Sequence, residues 1–316
     1  MGSCGRLRKT IYSPLSPPCG GKFFSPASSS SQSLASNPSP VAVPTTERSV
    51  AQYTPSITIS PRLDLTPTGI PLLDDHILRG GFLRGKTYLI AGETGCGKTI
   101  FSLQFLINGV LKFNESGIYL AIDEPAAHVV KGLTLFGWDV KELIERRKLL
   151  FLDMRTHFRR LYLKEKDRRI DPRIVIGNII KYIEKINAKR LVIDPIAPLM
   201  YGGSEEDVLY AREFLREMVF ELEKLGDVTT IMTSEIPTGS SRLSRFGVEE
   251  FLATGIIVLG LEEINGKIYR VMYIRKARWA PVKPAKYVFD IVAGRGVIIR
   301  GPLSEILKKE SEMGFD

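Results

Sequence analysis

Residues Ala91 to Phe105 read AGETGCGKTIFSLQF, and no other stretch constrains the fold of this chain so tightly. Before it, the apolar run Lys86 to Ala91 (KTYLIA) has the character of a buried strand. After it, Ile100, Leu103, Phe105, Leu106 and Ile107 describe a helix buried over much of its circumference. Between the two, Gly92, Gly97, Lys98 and Thr99 meet the spacing Gly, four residues, Gly-Lys-Ser/Thr of a phosphate loop. Glycines at 92, 95 and 97 let the backbone adopt positive φ and bring its N–H groups to an anion with no side chain in the way. Glu93, Thr94 and Cys96 complete the loop. The following helix aims its positive end at the same point. Lys98 can offer a point charge to β- and γ-phosphates, and the Thr99 hydroxyl is placed to ligate Mg²⁺. Cys96 reads as a small filler, because no His or second Cys stands near it in sequence.

From this point strands and helices alternate. Gly117 to Ile122, Leu149 to Asp153, Arg190 to Asp194 and Val228 to Thr233 read as strands. Helices are expected over Ala126 to Phe136, Pro172 to Ile186 and Glu205 to Leu225, and helical spacing recurs in Ile70 to Leu78. Near-continuous apolar strands separated by helices imply a mostly parallel, twisted sheet covered on both faces. The last third differs. Asn265-Gly266 and Gly294-Arg295-Gly296 are hairpin signals between β-rich runs, so antiparallel strands should extend one edge of that sheet.

Residues 1–54 are rich in Ser and Pro, lack a periodic apolar face, and are expected to form a disordered tail. They carry five basic side chains against Glu47, so a large part of the formal charge of +9 sits outside the expected folded body. That body, residues 55–304, has only a mild basic excess, which permits nucleic-acid contact without arguing for it. Residues 305–316 read as a C-terminal tail. The chain has three cysteines and nothing near eighteen consecutive apolar residues, so a reducing, cytoplasmic setting without a membrane span is the simplest expectation. His76, His128 and His157 lack metal-ligand spacing, and no zinc site is expected.

Nucleotide hydrolysis needs a carboxylate for the metal and a base for water. Asp194, ending the RLVID strand, stands at the carboxyl edge of the sheet where ligands of open α/β folds sit. Asp123 and Glu124 end the preceding GIYLAI strand at that edge, and one of them could orient the attacking water. Thr233, Ser234 and Glu235 close another strand and could sense the γ-phosphate. Lys276 and Arg278, in IRKAR, follow what reads as an edge strand.

PTGIPLLD, GETGCGKT, AIDEP, FGWDVKEL, LVIDP, TSE, FGVEEF and IRKAR occur in the order and spacing of the KaiC-like ATPases, a branch of the RecA superfamily, over Leu63 to about Gly301. The resemblance implies a RecA-like core and a ring, usually of six subunits, with ATP held between neighbours. By position it puts Asp123 and Glu124 on the paired catalytic carboxylates and Asp194 on the Walker B aspartate. Lys276 and Arg278 fall on basic residues that reach a neighbour's γ-phosphate. The chain carries one such domain where the cyanobacterial clock protein has two, so a clock role does not follow. It has Asp123 where the first carboxylate is usually Glu. GVEEFLAT resembles the hydrolytic half of the clock protein and lacks the Ser/Thr pair modified in the other half, so autokinase activity is not expected.

Three functions fit these residues: a slow, Mg²⁺-dependent ATPase switch read by an unknown protein partner, a RecA-like ATPase acting on DNA, and a nucleotide-bound scaffold with little turnover. For the second, DNA contacts would come from the basic run Arg155 to Arg173, with Phe158 and Tyr162 interleaved, and from the Ser240 to Arg245 loop.

Overall fold

A computed structural model describes residues 64–154, 171–199, 205–236, 244 and 247–313. The expected N-terminal tail, the start of the body before residue 64, most of the basic run from Arg155, and the Ser240 to Arg245 loop apart from Ser244 lie outside the described residues.

The chain enters through a short antiparallel pair, β1 (Leu65–Thr66) and β2 (Phe82–Leu83). Between them the predicted helical turn is a π-helix over Leu73–Ile77, anchored by a buried aspartate. Asp74 accepts from the Thr68 amide at 2.9 Å, the Thr68 hydroxyl at 2.8 Å and the Gly69 amide at 2.7 Å. Burial pushes its carboxyl above the ordinary range, and those three donors pull against the shift. The apolar run before the loop becomes β3 (Thr87–Gly92), buried at every residue, and leads into α1 (Lys98–Phe113).

The predicted alternation follows: β4 (Gly117–Ala121), α2 (Ala126–Leu135), α3 (Lys141–Glu145), β5 (Leu149–Asp153), α4 (Pro172–Ile186), β6 (Arg190–Asp194), α5 (Glu205–Lys224) and β7 (Thr229–Glu235). A short helix, α6 (Glu249–Leu252), precedes β8 (Gly255–Ile264). The turn at Asn265 and Gly266, both at positive φ, returns the chain as β9 (Lys267–Ala277). Strands β10 (Lys286–Val292) and β11 (Gly296–Pro302) form the second predicted hairpin.

The sheet has nine strands in the order β11-β10-β9-β8-β3-β7-β6-β4-β5. Its members from β8 through β5 in that order are parallel neighbours, and β8 through β11 are antiparallel. The register sets Gly92 beside Glu235 on one side and Leu259 on the other, and Ala121 beside Asp194 and Asp153. The carboxyl ends of β3, β4, β6 and β7 therefore finish at one edge.

Alternating side chains serve two cores. Ile90, Tyr119, Val192 and Ile231 pack under α1 and α2 with Phe101, Phe105 and Leu133. Leu89, Leu120, Leu191 and Met232 pack under α4 and α5 with Ile179, Phe214 and Met218.

Two expectations change. The expected 305–316 tail is, through Met313, part of a helix, α7 (Leu303–Met313), whose positions 303, 306, 307 and 310 are partly buried while those between are exposed. Glu310 on that helix accepts from the Tyr269 hydroxyl and pairs with Lys267 at 3.5 Å. And β9 is not the edge strand. β10 covers it along Val271 to Tyr273, leaving the segment from Ile274 onward without a strand on that side among the described residues.

Candidate active site

The loop between β3 and α1 is built so that only glycine fits at its turning points. A Cβ on Gly92 would stand 2.3 Å from the Leu259 carbonyl and 2.5 Å from the Cys96 sulfur. Gly97 has φ of +111° and is the left-handed residue from which α1 starts. Lys98 is buried, and its Nζ donates to the Gly92 carbonyl at 2.8 Å and to the Glu93 carbonyl at 2.9 Å, which curls the cation over the loop. Cys96 is fully buried, and burial pushes its thiol up, as suits a packing residue rather than a nucleophile.

Asp194 sits at the end of β6 under two hydroxyl donors. Tyr119, on β4, donates to one oxygen at 2.6 Å, and Thr233, on β7, donates to the other. The Tyr119 phenol is pushed far above its ordinary range, first by burial and then by the Asp194 charge, so it stays a protonated donor. The carboxylate is thereby fixed in orientation from both neighbouring strands.

Lys98, Thr99, Asp123, Glu124, Asp194 and Glu235 line one cleft of about 410 Å³ at the carboxyl edge. That volume lies in the range of small-molecule sites, roughly 300–1,000 Å³. Thr94 forms part of the wall and donates to Glu235 at 3.3 Å. The structure thus places Thr94, Gly95, Gly97, Lys98 and Thr99 of the loop around the cleft with Asp194 and the paired carboxylates, whereas Gly92, Glu93 and Cys96 are not among its lining residues.

Lys276 and Arg278 are not in this cleft. Strand β9 runs against β8, so Lys276 is opposite Ile256, near the amino edge of the parallel strands. Lys276 donates to the carbonyls of Glu250 at 2.9 Å and Phe251 at 3.2 Å, and Arg278 donates to the Phe251 carbonyl at 3.3 Å. The Lys276 ammonium is pulled below its ordinary range, by burial first and then by Arg278.

Sequence reasoning missed Arg270. Its guanidinium donates to the Gly95 carbonyl at 2.7 Å, so β9 touches the loop of its own chain with this residue and not with Lys276. Arg270 is one of several cations along β9, and local sequence does not single it out. Its contact depends on β9 lying two strands from β3, which only the sheet order supplies.

A phosphate loop feeding a helix from the centre of such a sheet, with acidic strand ends beside it and antiparallel hairpins beyond, defines a RecA-like α/β ATPase domain. The chain belongs to the KaiC ATPase family, whose model matches residues 66–304. The circadian clock oscillator protein KaiC of Thermostichus vulcanus is 33% identical over 252 residues, covering 80% of this chain and 47% of that protein. That of Synechococcus elongatus is 31% identical over 217 residues, covering 69% and 41%. The chain spans about half the length of these curated relatives. A crystal structure of a KaiC-like protein from Pyrococcus horikoshii OT3 is 34% identical, with a TM-score of 0.64, and the alignment covers 75% of this chain and 99% of that one.

Proposed function

We propose that this chain binds and slowly hydrolyses ATP with Mg²⁺ at the junctions of a head-to-tail ring, hexameric as the family resemblance implies, and that an unknown protein partner reads its nucleotide state in the cytoplasm. The observation that carries this reading is the charge of the cleft. Among its described lining residues Lys98 is the one cation, against Asp123, Glu124, Asp194 and Glu235. A triphosphate brought there needs further positive charge from a metal and from outside the subunit.

The donor set fits Mg²⁺. Thr99 and Asp194 offer hard oxygen ligands on the same cleft, and this ion takes one or two protein oxygens together with phosphate and water. When bound, the ion would screen the phosphate charge. Lys98 would leave the loop carbonyls for the β- and γ-phosphate oxygens, and the amides around Gly95 and Gly97 would cradle them. Asp123 or Glu124 would accept a proton from the attacking water. Lys276 and Arg278 face away from their own cleft, so their proposed role is toward the next subunit's γ-phosphate.

The test is ATP turnover with and without Mg²⁺ and single-stranded DNA, alongside mass in solution. Mg²⁺-dependent turnover by an oligomer, indifferent to DNA, is expected. Stimulation by DNA would move the assignment to a DNA-acting ATPase, tight ATP binding without turnover would make it a scaffold, and full activity as a monomer would remove the ring. Mixing Lys98→Ala, inactive through its loop, with Arg278→Ala, inactive through its cation, should restore activity where an intact loop meets an intact cation. Confirmed subunit exchange without recovery would overturn the reading in trans.

A further inference from the structure

The end of β7 faces two ways. Thr233, itself fully buried, donates to Asp194 of the cleft, whereas the next residue, Ser234, points to the opposite face of the sheet and donates to Glu249 at 3.2 Å. Glu249 is fully buried at the first position of α6. Its second oxygen accepts from the Ser244 hydroxyl at 2.8 Å and the Val248 amide at 3.1 Å. The following two residues of the same helical turn, Glu250 and Phe251, supply the carbonyls that hold Lys276 and Arg278.

The segment from Val248 to Thr254 is a bar laid across the face of the sheet. Its start is tied to Ser234, which pairs in register with Ala91 just before the phosphate loop. Its far end is tied to the amino edge, where the Thr254 amide donates to the Thr87 carbonyl at 2.7 Å and the Arg278 amide donates to the Thr254 carbonyl at 3.0 Å. Hydrogen bonds joined by short stretches of backbone thus run from the Asp194 carboxylate through Thr233, the Thr233–Ser234 peptide unit, Glu249 and one helical turn to the two cations. A buried carboxylate surrounded by hydroxyls at the head of a one-turn helix needs a reason, because an apolar residue would fill the site without the desolvation cost.

We propose that Glu249 is the positioning residue that sets the aim of Lys276 and Arg278 and ties it to the state of β7 in the same subunit. A γ-phosphate bound beside Asp194 draws on Thr233 through that carboxylate and shifts Ser234, and Glu249 carries that shift to the carbonyls of Glu250 and Phe251. What is loaded in one cleft thereby changes the cations offered to the next. The partner element is discrete, since α6 either keeps or loses the Ser234 bond, and this gives the coupling a physical basis beyond proximity. The inference rests on the action in trans proposed above.

The test is directional complementation with full-length chains. Glu249→Gln keeps the size of the side chain and removes its charge. Its ATP affinity should stay near that of the parent while turnover falls about ten-fold to a hundred-fold, the scale of a misaimed group. Mixed with Lys98→Ala, Glu249→Gln should regain activity, because its intact cleft meets a cation pair that the Ser234–Glu249 bond still aims in a subunit without nucleotide. Mixed with Arg278→Ala it should not, because neither subunit offers a working pair. The reverse pattern would mean that Glu249 serves its own cleft, recovery with neither would mean a merely structural role, and parental turnover would mean no role. Each of these overturns the proposal. Ser234→Ala cuts the same link from the strand side with less risk to folding, and must complement in the same direction. The Lys98→Ala and Arg278→Ala mixture is the control. If it fails to recover after confirmed exchange, the action in trans fails; if it recovers, any wrong pattern in the Glu249→Gln mixtures counts against the role of Glu249 alone.

Discussion

Replacing Glu115 by Gln should cost the fold more than any single surface change, because one carboxylate serves two guanidinium groups. Arg190, the first residue of β6, is fully buried. Its Nε donates to Glu115 at 2.7 Å and its Nη1 donates to the Phe105 carbonyl at 2.9 Å. The guanidinium carbon lies 4.5 Å from the Phe105 ring centroid and 5.2 Å from that of Phe113. Arg84 donates to the other Glu115 oxygen at 2.7 Å. Burial pulls the Arg190 pKa down, and Glu115 is the largest influence that opposes this. Breaking a buried pair from one side costs about 3–5 kcal/mol, since the remaining charge stays buried without its partner. At about 2 °C per kcal/mol for a domain of this size, Glu115→Gln should lower Tm by roughly 6–10 °C. Differential scanning calorimetry of the parent, Glu115→Gln, Arg190→Met and the double variant measures both the loss and the coupling. The losses of the two singles together should exceed that of the double variant, because methionine packs on Phe105 and leaves no fully buried cation behind, while Arg84 keeps its pair with Asp64 at 2.9 Å. A Glu115→Gln shift under about 2 °C, or strictly additive losses, would refute the argument.

Lys98→Ala should weaken ATP binding at least about ten-fold in a titration of a fluorescent nucleotide, because a hydrogen-bonded charge contributes about 1.5–3 kcal/mol; parental affinity would remove the phosphate loop from the site. Of Asp123→Asn and Glu124→Gln, the variant lacking the base should bind ATP normally and turn over about 10²-fold more slowly, whereas parental rates in both would mean that water is positioned elsewhere. Gly296→Ala should lower Tm by about 2–6 °C, since its φ is +80° and a Cβ there would meet the Gln104 Oε1 at 2.5 Å, the atom that holds the Val297 amide.

Much of this architecture was legible in local sequence. The strand, glycine loop and helix around Lys98, the Asn265-Gly266 hairpin and the strand ending in Asp194 declare themselves within a few residues, because turn chemistry and apolar period are local properties. What escaped depends on partners far away in sequence. Arg190 opens an apolar strand and looks like its exposed start, yet Glu115 and two phenylalanines of α1 enclose it. Glu249 stands in a motif that marks the family, but its burial needs Ser234 from another strand. Helix α7 was hidden for a different reason. Its stripe at Leu303, Ile306, Leu307 and Glu310 is short and ends in a charged residue, and only the sheet it packs on makes that period meaningful.

Sheet geometry also bears on why the proposed cations should act on a neighbour. Lys276 is opposite Ile256, which pairs with Leu89, whereas the loop begins at Gly92, in register with Leu259. Three residues along the strands is about 10 Å, and the two strand spacings from β9 to β3 add about 10 Å sideways. The Lys276 ammonium is moreover turned toward the Glu250 and Phe251 carbonyls, away from the carboxyl edge. Arg270, two residues beyond the level of Leu259 along β8, already supplies what β9 contributes to its own loop. One strand thus carries a cation to each edge of the sheet. Stacking subunits head to tail would set the Lys276 end of one against the acidic cleft of the next, where Asp123, Glu124, Asp194 and Glu235 leave a triphosphate short of positive charge.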